Sequence, residues 1–273
     1  MLLRRSSRSS RSNRPLLFAA LIVLLMAGAV RGEGWGHLTG RFVFDGPVPV
    51  RKPHVLTADK AFCSKHAPLD ETLIVNKENK GLQNLVVFVY TKTGEEVPIH
   101  EDLQDLADED VVLDNSRCAF SPHVQTMWYK QPLVIKNTDA VAHNSNVKFL
   151  DPRNKAFNVQ IPAGGKYVKK LAVSERIQTE IGCNAHPWMK SWLWVRPNPY
   201  ATVTDKDGKF TIEYLPEGEW TFQFWHENWG YVSAVRIKGK QVSWTRGRAP
   251  LKIADDKTTN LGTISVNPKD YAD

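Results

Sequence analysis

Three side chains that can bind a soft metal lie close together in the second half of the chain. The stretch IGCNAHPWMKSWLWV, residues 181–195, contains Cys183, His186 and Met189. These residues offer a thiolate, an imidazole and a thioether, which are the donors that select copper over harder metals. One cysteine and two histidines in a plane, with a long axial methionine bond, make a blue-copper electron-transfer site. The stretch therefore predicts three of the four ligands of such a site.

The second histidine is predicted upstream, within the segment LVIKNTDAVAHNSNVKF. An apolar, β-branched run at Leu133–Ile135 is followed by turn-forming residues at 137–139 and then by His143. This order indicates a strand, a turn and a second strand that begins near the histidine.

The His143–Asn144 pair, followed by the spacing C-x2-H-x2-M, resembles the cupredoxin family, and the compact loop resembles its amicyanin-like members. The resemblance covers roughly residues 110–195. It implies one type 1 copper ion, an electron-carrying function and no catalysis. It also implies that copper is bound by His143, Cys183, His186 and Met189. Asn144 would link the two ligand loops. Partners would dock at Pro187 and Trp188, where the ring edge of His186 would reach the surface.

The predicted partners are redox proteins that bind transiently, such as a cytochrome or a dehydrogenase. Other interpretations stay open, because Cys183 and Met189 can also be ordinary core residues of a derelict cupredoxin. A non-catalytic interaction or carbohydrate-binding protein would then use the tryptophans elsewhere in the chain. A copper-handling protein is disfavoured because Met127 and Met189 are the only methionines after residue 32. Enzyme motifs such as paired carboxylates, a nucleophile elbow or a phosphate loop are not found.

Residues 1–32 have the pattern of an export signal. Five arginines precede an apolar run at 15–30, and small residues at 27–29 suit a signal peptidase. Without this segment the 36 basic and 29 acidic residues of the chain become 30 and 29, so the net charge is close to zero. The sequence therefore predicts a periplasmic or secreted protein with no nucleic-acid partner, which meets a membrane only if the signal stays uncleaved.

The remaining sequence is β throughout, with short runs rich in valine, isoleucine and aromatic residues. One short helix is predicted at 99–107. The D-x-D-G pattern at 205–208 predicts a hairpin turn between two strands. The segments TDKDGKF and LPEGEW near the C-terminus resemble the carboxypeptidase regulatory-like, transthyretin-related sandwich. We predict an all-β protein in which a cupredoxin-like Greek-key sandwich, 109–195, is inserted in or fused to that second sandwich, whose halves are 33–108 and 196–268, before a tail at 269–273. Alternatively, 33–195 is one enlarged cupredoxin followed by a separate domain.

The other two cysteines, Cys63 and Cys118, are expected to form a disulfide because export exposes thiols to an oxidising compartment. A zinc site that also uses His66 and His123 is a rival interpretation, and unpaired thiols are a third. Among the aromatic residues, Trp192 and Trp194 are predicted to face the core. His226 and Glu227 are predicted to lie at an exposed strand end.

Overall fold

The computed structural model describes residues 34–271, so the predicted signal lies outside the described residues. The described chain is almost entirely β, which confirms the all-β prediction. Its one α-helix is the short α1 (Lys60–Cys63), and 3₁₀ turns occupy Glu101–Leu103, Asp105–Asp108, Thr245–Gly247 and Pro268–Tyr271. Across residues 34–271, no helix combines the length and the apolar character needed to cross a membrane.

The helix predicted at 99–107 is wrong in type, since this segment forms the first two of those 3₁₀ turns. The ring Nδ1 of His100 accepts the backbone N–H of Asp102 at the start. The N–H of Gln104 then bonds to the carbonyl of Glu101, three residues back, which is the 3₁₀ pattern.

The strands fall into three consecutive runs. The first run comprises β1 (Trp35–Phe44) and β2 (Val86–Val89). The middle run comprises β3 (Val111–Ser116), β4 (Ala119–Ser121), β5 (Val124–Trp128), β6 (Leu133–Asn137), β7 (His143–Val147), β8 (Phe157–Ile161), β9 (Lys166–Lys169), β10 (Thr179–Gly182) and β11 (Lys190–Arg196). The last run comprises β12 (Ala201–Val203), β13 (Lys209–Pro216), β14 (Gly218–His226), β15 (Gly230–Tyr231), β16 (Ala234–Ile237), β17 (Lys240–Ser243), β18 (Arg248–Ile253) and β19 (Thr258–Val266).

Strands of the first and last runs build two sheets together. Sheet I has the order β13-β1-β19-β16-β17, and sheet II has the order β12-β2-β14-β15 with β18 beside β14. The middle run builds sheet III, in the order β5-β11-β10-β7-β8, and sheet IV, in the order β4-β3-β6-β9. Among the described strands, none of the middle run forms a ladder with a strand of the other two runs.

Side-chain alternation along the strands divides the apolar residues among three cores. In β2, Val87 and Val89 face sheet I, whereas Val86 and Phe88 face sheet III. In β11, Leu193 and Val195 join the core between sheets III and IV, whereas Trp192 and Trp194 lie in the core between sheets II and III. Because successive strand residues point to opposite faces, sheets II and III are each covered on both sides. The four sheets are therefore stacked as layers in the order I, II, III, IV.

The predicted turn forms at TDKDG between β12 and β13, but these strands belong to different sheets and make no hairpin with each other. The carboxylate Oδ1 of Asp205 accepts the backbone N–H groups of Asp207 and Lys209, at 2.9 and 2.8 Å. Gly208 adopts a φ of 76°, and a Cβ there would lie 2.0 Å from the carbonyl oxygen of Phe42. Only glycine satisfies both the left-handed backbone and this close approach to β1.

The predicted disulfide between Cys63 and Cys118 is confirmed, with a Cα–Cα distance of 5.5 Å. It links α1, in the long connection between β1 and β2, to the turn between β3 and β4. The zinc interpretation is excluded for these residues because both sulfurs are bonded to each other. The disulfide therefore fastens a segment from the first run to the sandwich of the middle run.

Replacing both Cys63 and Cys118 with alanine should lower the free energy of unfolding by roughly 2–4 kcal/mol, because the open loop gains entropy in the unfolded chain. Urea denaturation, with Cys183→Ser as a common background, measures this loss. Reductant should weaken the parent by a similar amount and leave the double variant unchanged. An unchanged unfolding midpoint in the double variant would contradict the prediction.

The prediction that His226 and Glu227 are exposed is wrong. His226 is 1% exposed, although it is the last residue of β14. Its Nε2 faces the carbonyl of Gln83 at 3.2 Å, and its Nδ1 accepts the backbone N–H of Asn228. The carboxylate of Glu227 contacts the Nε2 of His123 and forms an ion pair with Lys190 at 3.2 Å. Burial lowers the pKa of His226 to about 4, against the opposing effects of Gln83 and Glu227.

Stability should therefore depend on pH through His226. Its folded pKa of about 4 lies below the ordinary 6.5, so the unfolded chain binds more protons between these values. The contribution of His226 is complete above pH 6.5 and is lost as the pH falls to about 4, and it amounts to about 3 kcal/mol. Urea unfolding across this window should show a shallower slope for His226→Gln, whose amide can still donate to Gln83. The half-buried His66→Gln is the control and should keep the parent slope.

Candidate metal centre

Strand pairing brings the two predicted ligand segments together. β10 pairs with β7 on one side, where Gly182 lies opposite Asn146, and with β11 on the other. β7 begins at His143, and the loop 183–189 connects β10 to β11. Because these three strands are neighbours in sheet III, their ends meet at one end of the sandwich.

Three donor atoms converge there. The Nδ1 atoms of His143 and His186 lie 2.9 Å apart, and the Sγ atom of Cys183 lies 3.6 Å from the Nδ1 of His186. All three donors fall within 4.8 Å of one another. The three residues are buried, with exposed fractions of 1% for His143, 3% for Cys183 and 0% for His186. One ion could therefore contact all three atoms out of reach of bulk water.

Met189 is also buried and belongs to the same apolar core as Cys183. Its backbone closes the loop, because its N–H donates to the carbonyl of His186 at 2.8 Å and its carbonyl accepts the N–H of Cys183 at 3.2 Å. These two bonds fix the relative positions of the three loop residues with donor side chains.

Two carboxylates hold the imidazole rings from behind. Asp139 Oδ2 lies 2.9 Å from the Nε2 of His143, and Asp59 Oδ2 lies 2.9 Å from the Nε2 of His186. A carboxylate on one ring nitrogen fixes the proton there and leaves a lone pair on the other. With these tautomers both Nδ1 lone pairs face each other, an arrangement that repels unless a proton or a metal cation lies between them. The two rings and the thiol therefore fit a bound metal ion.

The protonation of His143 agrees with this fit. Burial lowers its pKa, the hydrogen bond to Asp139 opposes the shift, and the neighbouring His186 lowers the pKa further. The ring is consequently neutral at neutral pH, which is the form that binds metals. With a cysteine sulfur beside two imidazoles, the donor set is soft and suits copper or zinc better than magnesium or calcium.

Asn144 joins the two ligand segments. Its side-chain Oδ1 accepts the backbone N–H groups of Asn184 and Ala185, at 2.8 and 3.1 Å. Its own backbone N–H points to the Cys183 sulfur at 3.4 Å. Asn144 therefore helps to fix the position of Cys183 relative to His143.

Asp139 and Asp59 are the functional residues that sequence reasoning missed. Asp139 was assigned only to a turn, yet it is 5% exposed, and its second role is to accept the N–H groups of Arg117 and Cys118 at 2.6 and 2.8 Å. A carboxylate four residues before His143 was a weak signal for the first aspartate. Asp59 carried no local signal, because it lies 127 residues from the histidine it contacts.

The expectation that the ring edge of His186 reaches the surface is corrected by its burial. Asp59, at the N-terminal end of α1, covers the Nε2 atom, and the disulfide at Cys63 holds α1 in place. Pro187 is exposed, and Trp188 is half-buried with its ring edge-on to His186 at a centroid distance of 5.0 Å. The indole Nε1 of Trp188 donates to the carbonyl of Cys118 at 3.0 Å.

No protein-family model matches the sequence, and no curated protein matches it either. Among solved structures, a Cu(I) form of an amicyanin variant is similar at 14% identity, over 32% of this chain and 82% of that chain, with a TM-score of 0.29. A copper-containing nitrite reductase from Thermus scotoductus SA-01 is similar at 17% identity, over 49% and 28% of the two chains, with a TM-score of 0.28. A purple cupredoxin from Nitrosopumilus maritimus is similar at 20% identity, over 33% and 100%, with a TM-score of 0.26.

The carboxylate behind His186 should strengthen metal binding. Asp59→Asn should weaken the affinity for Cu(I) about tenfold or more, because the amide no longer favours a proton on Nε2. Competition against a chromophoric chelator measures this affinity. Asp45→Asn is a matched control, since the side chains of Asp59 and Asp45 are 46% and 51% exposed and Asp45 contacts Arg236 instead of a histidine. Equal affinities of the two variants would contradict the assigned role.

Proposed function

We propose that this protein carries single electrons between redox partners by means of one type 1 copper ion. The observation that supports the proposal best is the convergence of a buried cysteine sulfur and two buried imidazole Nδ1 atoms, each ring held by a carboxylate. Copper would supply a one-electron couple between Cu(II) and Cu(I) at these residues. His143, Cys183, His186 and Met189 would hold it.

The protein's contribution to electron transfer would be rigidity. Cys183 and the two histidines are supported by the Asn144 bridge, two carboxylates and the closed loop backbone, so their positions need little adjustment between oxidation states. Their burial also restricts access of substrate, which suits a carrier rather than an oxidase or reductase. We accordingly propose that the chain is not an enzyme.

Partners would dock transiently near Pro187 and Trp188, which lie beside His186 on the outside of the loop. The edge-on contact between Trp188 and His186 connects the buried ring to that surface. A cytochrome or a dehydrogenase is the proposed partner class. The export signal proposed for residues 1–32 would direct the protein to the periplasm or to secretion.

We also propose that the copper sandwich is an insert in a carboxypeptidase regulatory-like sandwich, with boundaries near residues 109 and 195. Support comes from strand pairing, since β1 pairs with β13 and β19, and β2 pairs with β12 and β14, across the whole middle run. A chain that leaves one sandwich and returns to it at neighbouring points produces this pairing.

Titration of the purified chain with Cu(II) tests the proposal. We expect an intense blue thiolate-to-copper band that saturates at one equivalent, with the narrow hyperfine splitting of a type 1 site in the EPR spectrum. Cys183→Ser should lose the band and stay folded. Met189→Leu should keep the band and raise the reduction potential, because a donor to the oxidised metal is removed.

Met127→Leu is the matched control for Met189, since both methionines are 2% exposed in the same core. It should change neither colour nor potential. A colourless protein, or the spectrum of ordinary tetragonal copper, would refute the electron-carrier proposal and favour a non-catalytic interaction protein. An unchanged reduction potential in Met189→Leu would show that this methionine is not a copper ligand.

A further inference from the structure

A second polar site lies at the opposite end of β11 from the metal loop. A cleft of about 950 Å³ opens there, at the edge of the core between sheets II and III. Aromatic and cationic side chains share its lining, among them Phe88, Tyr90, Tyr231, Arg153, Arg196 and Arg248. None of these residues takes part in the metal centre.

Strand alternation explains why an arginine reaches this position. Trp192, Trp194 and Arg196 occupy every second position of β11, so all three face sheet II. The two tryptophans fill the core, and the guanidinium comes next, with its Cζ atom 4.1 Å from the ring centroid of Phe88. Arg196 is only 5% exposed, although its side chain carries a full charge.

This buried cation has no carboxylate partner among the described residues. Its Nη1 donates to the backbone carbonyl of Glu175 at 3.3 Å, and its Nε is buried without any acceptor. Burial lowers the pKa of Arg196 to about 10, and only the interaction with Tyr231 opposes this shift. The guanidinium therefore remains charged at neutral pH.

Arg248, a second arginine of the cleft, also has a donor without an acceptor among the described residues. The Nε of Arg248 is also buried without an acceptor, and its Cζ atom lies 3.6 Å from the ring centroid of Tyr90. Both arginines are thus held against aromatic faces, an arrangement that fixes their orientation without using their donors.

Two carboxylates near the cleft, those of Glu175 and Asp151, bind other groups. The carboxylate of Glu175 accepts the backbone N–H groups of Leu150 and Asp151 and the side-chain amide of Asn154. Asp151 pairs with Arg153 at 2.7 Å. Neither carboxylate pairs with the guanidinium of Arg196 or of Arg248, so the positive charge of these two arginines is not balanced by Glu175 or Asp151.

We propose that this cleft binds a small organic anion through its carboxylate or phosphate group, with Arg196 and Arg248 as the principal contacts. Planar guanidinium groups pair with both kinds of oxyanion through two parallel hydrogen bonds. The aromatic lining suits a ligand whose remaining part is apolar or planar.

Isothermal titration of the full chain with benzoate and, separately, with inorganic phosphate tests the proposal and distinguishes the two oxyanions. We expect one site per chain for at least one probe, with affinity reduced about tenfold or more in Arg196→Met and in Arg248→Gln, because each loses a charge-assisted contact. Arg153→Gln is the control, because this arginine lines the cleft but is already paired with Asp151. It should bind within about twofold of the parent.

If Arg196→Met does not fold, Arg248→Gln and the conservative Arg196→Lys decide the question, since lysine keeps the charge but loses the planar fork. Binding that is unchanged in all these variants would indicate an adventitious surface site and overturn the proposal. So would the absence of binding by both probes at millimolar concentration. Copper binding should be the same in every variant, so this test does not depend on the outcome at the metal centre.

Discussion

The arrangement on which the metal centre depends is the close approach of two imidazole nitrogens with like polarity. The Nδ1 atoms of His143 and His186 lie 2.9 Å apart, while Asp139 and Asp59 hold the opposite nitrogens. Each carboxylate favours a lone pair on the inward nitrogen, and two inward lone pairs are stabilised by a cation between them. The neighbouring sulfur of Cys183 then completes a donor set suited to a soft metal.

The two carboxylates reach the centre by different routes, and each route uses the rest of the fold. Asp139 comes from the turn after β6, and it also accepts the backbone N–H groups of Arg117 and Cys118, which have left-handed φ angles of 58° and 56°. Asp59 comes from the first run of strands and is held near the centre by the disulfide at Cys63. The segment that covers His186 therefore belongs to the connection between β1 and β2, outside the sandwich of sheets III and IV.

β11 connects the two polar sites of the molecule. Its first residue, Lys190, follows the metal loop, and its last residue, Arg196, reaches the cleft at the edge of the core between sheets II and III. Trp192 and Trp194 fill that core between them, in edge-on contact with Trp225 at centroid distances of 5.6 and 5.5 Å. This aromatic packing on the face of β11 toward sheet II is expected to keep the ends of the strand at fixed separation.

Local pattern alone determined the features that depend on neighbouring residues. It predicted the all-β class, the turn at Gly208, the disulfide and the core position of Trp192 and Trp194, because alternation, turn chemistry and cysteine oxidation all follow from residue type and spacing. The donor types of the metal loop are likewise visible in seven consecutive residues, 183–189. The segment 99–107 forms 3₁₀ turns instead of the predicted short α-helix. The two kinds of helix differ by one residue in the spacing of their backbone hydrogen bonds, which residue type does not determine over so short a segment.

Only the tertiary structure decided what surrounds these elements. The contact of Asp59 with His186, the burial of His226 and Glu227, and the unpaired guanidinium of Arg196 all depend on residues distant in sequence and on how the four layers stack. A polar residue at a strand end is exposed or buried according to the layer that packs against it. The residues next to it in the sequence do not indicate which layer that is. Burial and long-range pairing, which set the charge and orientation of the site residues, are for this reason properties of the folded chain.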